Sequence, residues 1–252
     1  MKTFALASVS LFALGALSSA RAADLPLLPA KAVAPAPYYD WSGFYTGING
    51  GGGLAHTDWA IVNLLGTAVD PAVAEGRHNA AGGTVGGQFG YRWQFTKWII
   101  GLEAQGNWAN FSGSNFSLAL PPLVNQSKVD AFGLFTAQVG YTTNNLMLYG
   151  KAGAGVASVK YNSFIPGMVT LDAVNQTRVG PTLGIGVEFG FAENWSVGGE
   201  YDHLFLGHKT ANVPTLDGPL ARMDRIGQDI DVALIRINYR WGNPAAPVVV
   251  NY

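Results

Sequence analysis

The sequence predicts an all-β protein, an eight-stranded antiparallel up-and-down transmembrane β-barrel, on three observations. Eight segments of 10 to 14 residues alternate apolar with small or polar residues, the period of two that an extended strand imposes on its faces. The charges in those segments fall on the face opposite the apolar series. The connections alternate between short and long, which puts the long loops on one side and both termini on the other.

Met1 to Ala23 reads as a removable export signal: Lys2 gives a minimal positive start, Phe4 to Leu17 an apolar run, and Ala20, Arg21 and Ala22 an A-x-A cleavage site. Residues 24–40 carry four prolines, which deny a ladder its donors, so this stretch is expected to be an extended periplasmic segment. The barrel is assigned to residues 41–241, with strands at 41–54, 81–93, 98–111, 128–141, 146–159, 179–191, 195–206 and 229–241. The first of these has an ambiguous facing, because Gly50 to Gly53 weakens strand preference. Strand 98–111 is the clearest: Trp98, Ile100, Leu102, Ala104 and Trp108 form one face, and Gly101, Glu103, Gln105 and Asn107 the other. In later strands Leu146 and Leu148 oppose Lys151, Leu183, Ile185 and Val187 oppose Glu188, and Val197 and Tyr201 oppose Glu200 and Asp202. A charge facing the bilayer midplane costs roughly 2 to 4 kcal/mol for Lys or Arg, so the polar face is the inside.

Three tight turns are expected at Gln94 to Lys97, Thr142 to Asn145 and Ala192 to Asn194, facing four long loops. Tyr91, Trp93, Trp98, Tyr141, Phe191, Trp195, Tyr239 and Trp241 flank the short-turn end and are expected to form the inner-leaflet aromatic girdle. Loop one (55–80) holds an apolar stretch, Ile61 to Leu65, that could lie as a short helix on the rim. Residues 242–252 form a C-terminal tail.

Composition excludes several classes. Only 12% of the 252 residues are charged, and removing Lys2 and Arg21 takes the net charge from −1 to −3, too near neutral for a nucleic-acid partner. With no cysteine there is no disulfide framework or lipoprotein anchor. No apolar run outside the N-terminus reaches the 18 or so residues of a spanning helix, and closed barrels are the other solution in lipid.

Arg92, Glu103, Lys151, Glu188, Glu200 and Arg236 fall on the polar faces, three acids against three bases. An eight-stranded barrel is about wide enough for side chains to fill, so these are expected to pair in a structural network; a narrow gated pore is the alternative. An enzymatic reading finds only His203 beside Asp202, and neighbouring strand residues face opposite ways. His56 and His78 in loop one and His208 in loop four (207–228), near Lys209, Arg222 and Arg225, are the candidates for holding a heme. Loop three (160–178) is rich in apolar residues, which suits contact with lipid or a partner. No resident cofactor or metal is expected.

WSGFYTGINGG at Trp41 to Gly51, GGQFGYRWQF at Gly86 to Phe95, GEYDHLFLG at Gly199 to Gly207 and IRINYRW at Ile235 to Trp241 together resemble the alphaproteobacterial Omp25/Omp31-like outer-membrane proteins. The individual motifs are short, and it is their order over residues 24–252 that is specific. The resemblance implies an eight-stranded barrel of OmpA/OmpX-like size in the outer membrane of a Gram-negative bacterium. It also implies a role in envelope integrity or host-facing surface properties, some relatives being porin-like or hemin-binding. The implied partners are outer-membrane lipid, lipopolysaccharide, the barrel-assembly machinery during insertion, and host or envelope components. The tail departs from the pattern, since a barrel often ends on an aromatic; Val248, Val250 and Tyr252 resemble an insertion signal displaced beyond Trp241.

Overall fold

In the computed structural model the described residues are 39–64, 66–167, 171–215 and 218–242. The expected export signal, most of the Pro-rich segment and residues 243–252 of the tail lie outside them. The strands are β1 (Gly43–Leu64), β2 (Thr67–Phe95), β3 (Trp98–Phe116), β4 (Val124–Thr143), β5 (Leu146–Phe164), β6 (Leu171–Ala192), β7 (Trp195–Thr215) and β8 (Gly218–Arg240). Each pairs antiparallel with its successor, and β8 returns to β1 to close the barrel. Closure leaves no open edge over the lower part of the wall; beyond Ala81 and Ser112 the β2·β3 ladder stops, as does the β6·β7 ladder beyond Thr182 and Leu204, and the outer strands continue as hairpin extensions.

The alternation in the sequence becomes the two faces of that wall. Trp98, Ile100, Leu102 and Trp108 point outward and are half or more exposed, while Glu103, Gln105 and Asn107 are buried inside. β1 takes the same phase despite its glycines, with Phe44 and Ile48 outside and Tyr45 and Asn49 inside. Ten residues separate Trp98 from Trp108; at about 3.3 Å each and a tilt near 40°, this is a rise of about 25 Å, the height of a lipid-facing apolar band. The tight turns close on Thr96 and Asn144, both at positive φ (58° and 53°). Asn tolerates that conformation, whereas β-branched Thr96 is strained in it.

The upper half departs from the sequence reading. The expected long loops are largely strand: the strands run from 19 to 29 residues, two to three times what a membrane crossing needs. Loop one is the continuation of β1 and β2, loop three that of β5 and β6, and loop four that of β7 and β8. The Ile61 to Leu65 stretch is no rim helix, because Ile61 continues the β1 ladder and is buried inside. Irregularity enters as β-bulges, among them those at Trp59/Ala60 and Phe205/His208. At the latter, Gly207 takes φ +61° and the buried Arg178 donates to its carbonyl (3.1 Å) and to that of Ile226 (2.6 Å).

What holds these extensions together is a second change in chemistry. Above the polar interior sits an apolar core of Trp59, Phe111, Phe132, Leu134, Val159, Leu204, Ile230 and Val232, all buried. Outside it the wall is polar, with Asn110, Ser112 and Ser114 exposed on β3. Fully burying such side chains contributes roughly 1.5 to 3 kcal/mol each, enough to keep the strands paired where no lipid surrounds them. Phe111→Ala is therefore expected to cost about 3 to 5 kcal/mol, with Ser112→Ala nearly neutral. Urea unfolding followed by the heat-modifiable gel shift reads both; equal effects would contradict the apolar core.

Candidate functional site

The interior is filled from the bottom up. At the short-turn end the chain entering β1 folds into the mouth: Tyr39 and Trp41 are buried with ring centroids 4.4 Å apart, packed with Ile99, Met147 and Tyr149. The Trp41 amide donates to Gln94 Oε1 at 2.9 Å. The void left among Tyr39, Trp41, Arg92 and Glu188 is about 10 Å³, at the lower limit of what one water needs.

Above this plug lies an ionic layer to which β2, β3, β5, β6, β7 and β8 contribute. Arg92 grips Glu188 with both guanidinium nitrogens (3.2 and 2.9 Å) and stacks over the Tyr45 ring at 4.1 Å. Arg236 bridges Glu103 and Glu200 across the interior. Lys151 Nζ reaches Glu200 at 2.7 Å, Asp202 at 3.1 Å and Glu103 at 3.4 Å. Tyr45 donates to Glu103 (2.7 Å) and Tyr149 to Glu200 (2.6 Å). Glycines leave the room: a Cβ on Gly90 would lie 2.5 Å from the Tyr45 ring, and one on Gly186 2.4 Å from Tyr149.

All six charges singled out in the sequence thus lie in this layer, together with one the count left out. Asp202, two residues from Glu200 and so on the same face, makes four acids to three bases. Its i, i+2 spacing from Glu200 is the signal for this in the sequence. Beside it, across β8, β1, β2 and β3, stands a group of amides, in which Gln88 donates to Asn238 and accepts from Asn49 (both 2.7 Å), while Asn238 also donates to Glu188 of the ionic layer (2.9 Å).

The apolar core follows, and above it a polar cluster that the sequence reading missed by assigning its members to loops. Glu75 accepts from Ser117 (2.7 Å) and Asn125 (3.3 Å) and pairs with Arg222, which is also held by Asp224 (Nε to Oδ1 2.8 Å). His78 bonds Asn115 at 2.7 Å and, through Nε2, the Ser127 hydroxyl. The cluster ties β2, β3, β4 and β8 at their outer ends. Burial pushes the Glu75 and Asp224 carboxyls up, Glu75 further so because Asp224 is near, and pushes the His78 imidazole down.

The predicted girdle residues face outward around the short-turn end. Trp98 meets Tyr141 at 5.4 Å, Tyr91 meets Trp93 at 4.6 Å, and Tyr239 meets Trp195 at 5.0 Å and Trp241 at 5.2 Å. Phe191 is exposed among them, and Phe44, packed on Tyr91 at 4.6 Å, joins the group.

The three histidines weighed for heme lie in strands and do not face a common space. His78 is inside. His56 is on the outer wall against Asp231 (3.1 Å) and Asn79 (2.9 Å), and His208 is exposed over Gly227. His203 also points outward; its partner is Asp231 on β8, at 2.6 Å, rather than Asp202.

This architecture agrees with the comparisons to known proteins. Residues 5–233 match the family described as the outer membrane protein beta-barrel domain. The chain is 32% identical to the 31 kDa outer-membrane immunogenic protein of Brucella melitensis over 83% of its own length and 89% of that protein's. It belongs to the outer-membrane β-barrel family, in its Omp25/Omp31 branch. The 25 kDa outer-membrane immunogenic protein of Brucella abortus is 28% identical, with 93% of this chain and 97% of that one covered. Among solved structures, the outer membrane protein OprG of Pseudomonas aeruginosa superposes with a TM-score of 0.54 at 15% identity, covering 80% of this chain and 97% of that one, which shows the shared fold. This Omp25/Omp31-type barrel therefore resides in the outer membrane.

Two predictions follow from the interior. Arg236→Met is expected to cost about 3 to 5 kcal/mol because it strands two buried carboxylates, and adding Glu103→Gln should recover part of that loss; urea titration reads both. In the outer cluster, the folded state holds protons on Glu75 and Asp224 that the unfolded chain releases. Their contribution is therefore present below the ordinary carboxylate range, about pH 4, and is lost as pH rises through the raised values. His78 acts oppositely, losing stability as pH falls below about 6.5 toward its depressed value. Glu75→Gln should flatten the alkaline arm and leave the His78 arm, as measured by melting temperature against pH.

Proposed function

We propose that this barrel is a non-catalytic, non-conducting element of the envelope, structural in its membrane part and interactive at its extracellular hairpins. The observation that carries this reading is the interior itself, where an aromatic plug, an ionic layer with amides beside it, an apolar core and an outer polar cluster follow one another. An ion crossing it would have to break Arg236 from two carboxylates and then pass Phe111, Phe132 and Leu134. The six predicted lumen charges act as structural partners of one another, and the aromatic residues at the inner end anchor the barrel at the headgroup level.

Against catalysis stands the surroundings of His203: its carboxylate partner Asp231 also takes the Tyr201 hydroxyl at 2.5 Å, and the group opens onto the outer wall. A hemin-binding role finds less support, since His56, His78 and His208 diverge. Contact functions fall to the hairpin tips, where Phe116, Leu118 and Leu120 are exposed. Apolar side chains at a projecting tip suit an envelope or host partner with an apolar surface. Lipopolysaccharide and lipid surround the wall below, and residues 1–23 serve export to the assembly machinery.

The folded protein is expected to be silent in planar-bilayer conductance measurements. Steady single-channel steps that change on replacing Glu103, Lys151 or Arg236 would overturn this reading in favour of a small porin.

A further inference from the structure

The lipid-facing wall is uneven on one side. Across β2 to β5, Phe89, Leu102, Ala104, Phe135, Ala137 and Ala152 line a groove of about 520 Å³, open toward the bilayer. Above it Gly106 pairs with Gly133, so no side chain fills the wall between the exposed rings of Phe135 and Trp108. Above Trp108, β4 and β5 place two lysines directly opposite each other, Lys128 against Lys160. Both reach Asp130, at 3.4 and 2.6 Å, and both remain about half exposed. Like charges facing each other across a ladder are destabilising. One carboxylate leaves the trio with a net positive charge, directed at the level where outer-leaflet headgroups lie.

We infer that this wall binds a phosphorylated glycolipid of the outer leaflet, its phosphate on Lys128 and Lys160 and an acyl chain in the groove below. The dimensions agree. Seven residues separate Lys128 from Phe135, about 23 Å along the strand and about 17 Å in depth at a tilt near 40°. One leaflet is about half of a 30 Å hydrocarbon core. The charge agrees as well: two ammoniums and one carboxylate complement a phosphate and offer a zwitterionic headgroup little. Trp108 stands beside the path, as an amphipathic ring does at a membrane interface. This inference rests on the reading of the chain as an envelope barrel set in lipopolysaccharide, and it makes one lipid a specific ligand rather than bulk solvent.

Native mass spectrometry of the folded full chain in detergent, titrated separately with lipid A and with phosphatidylcholine, tests it. Retention of lipid A over phosphatidylcholine is expected. Lys128→Ala/Lys160→Ala should weaken lipid A retention by roughly ten- to thirtyfold while leaving phosphatidylcholine unchanged. Ala137→Trp, which fills the groove, should weaken both. Heat-modifiable migration verifies folding, and the single exposed change Lys160→Gln stands in should the double variant misfold. Equal retention of the two lipids by the wild-type chain would overturn the site, as would unchanged lipid A retention in the lysine variants. Displacement of lipid A by inorganic phosphate alone, or a dimer in place of bound lipid, would overturn the role of the groove. A conducting wild-type barrel would count against the proposed function and leave these outcomes untouched, so the two can fail separately.

Discussion

The Arg236 guanidinium, shared between Glu103 of β3 and Glu200 of β7, is the contact on which the lower half of this barrel depends. A closed ladder fixes the wall but says nothing about what fills it, and a barrel of this width has room for side chains and little else. Charges placed there cannot reach water, so each must find its opposite at hydrogen-bond distance or forfeit several kcal/mol. Lys151 and Arg236 divide three carboxylates between them, Arg92 takes the fourth, and two tyrosines satisfy oxygens left over. The glycines opposite those tyrosines then follow as a requirement of space. Such a layer gains little over apolar residues of equal volume; its specificity lies in register, because a one-residue slip would turn every charge into the lipid.

Read along one strand, the interior is a column of distinct chemistries. The inward residues of β8, from the short-turn end outward, are Arg240, Asn238 and Arg236, then Leu234, Val232 and Ile230, then Gln228 and Ile226, and finally Asp224 and Arg222. The outer face runs the other way: Ile237 and Ile235 within the membrane, then Asp231, Asp229 and Arg225 above it. Both faces respond to the same change of surroundings. Where lipid bathes the wall, the polar groups are inside; where water bathes it, the apolar groups are inside, as in any soluble barrel. The crossover falls at the level of His203, Asp231, Asp130 and Trp108, where the outside turns from hydrocarbon to headgroup.

That crossover explains what was legible in the sequence. Within the membrane, alternation of Trp98, Ile100 and Leu102 with Gly101 and Glu103 is governed by one period and one rule, so strand number, topology and, outside the first strand, facing could be read. At and just below it, Phe132, Leu134 and Phe135 put apolar side chains on both faces of β4, and bulges near Asp130 and Phe205 change the phase. Neither pattern resembles a lipid-facing strand, and a reader expecting strands of membrane length ends them there. Hence 55–80 and 207–228 read as loops, and Glu75, Arg222 and Asp224, far apart in the chain, gave no sign of meeting. Tyr39 was obscured differently, because the prolines before it point to a linker while its burial against Trp41 depends on a mouth that exists only after closure.

Strands that outlast the membrane also constrain what this protein can do at the surface. Ligand capture by flexible loops requires segments free to rearrange, and here the hairpins are locked to one another through Phe111, Val159 and Ile230 and again through Glu75 and Arg222. That favours recognition by the outside of the wall and by the exposed Phe116, Leu118 and Leu120 between β3 and β4. A filled interior below such an extension favours reading the exposed side chains, rather than the buried charges, as the part of the molecule that meets a partner.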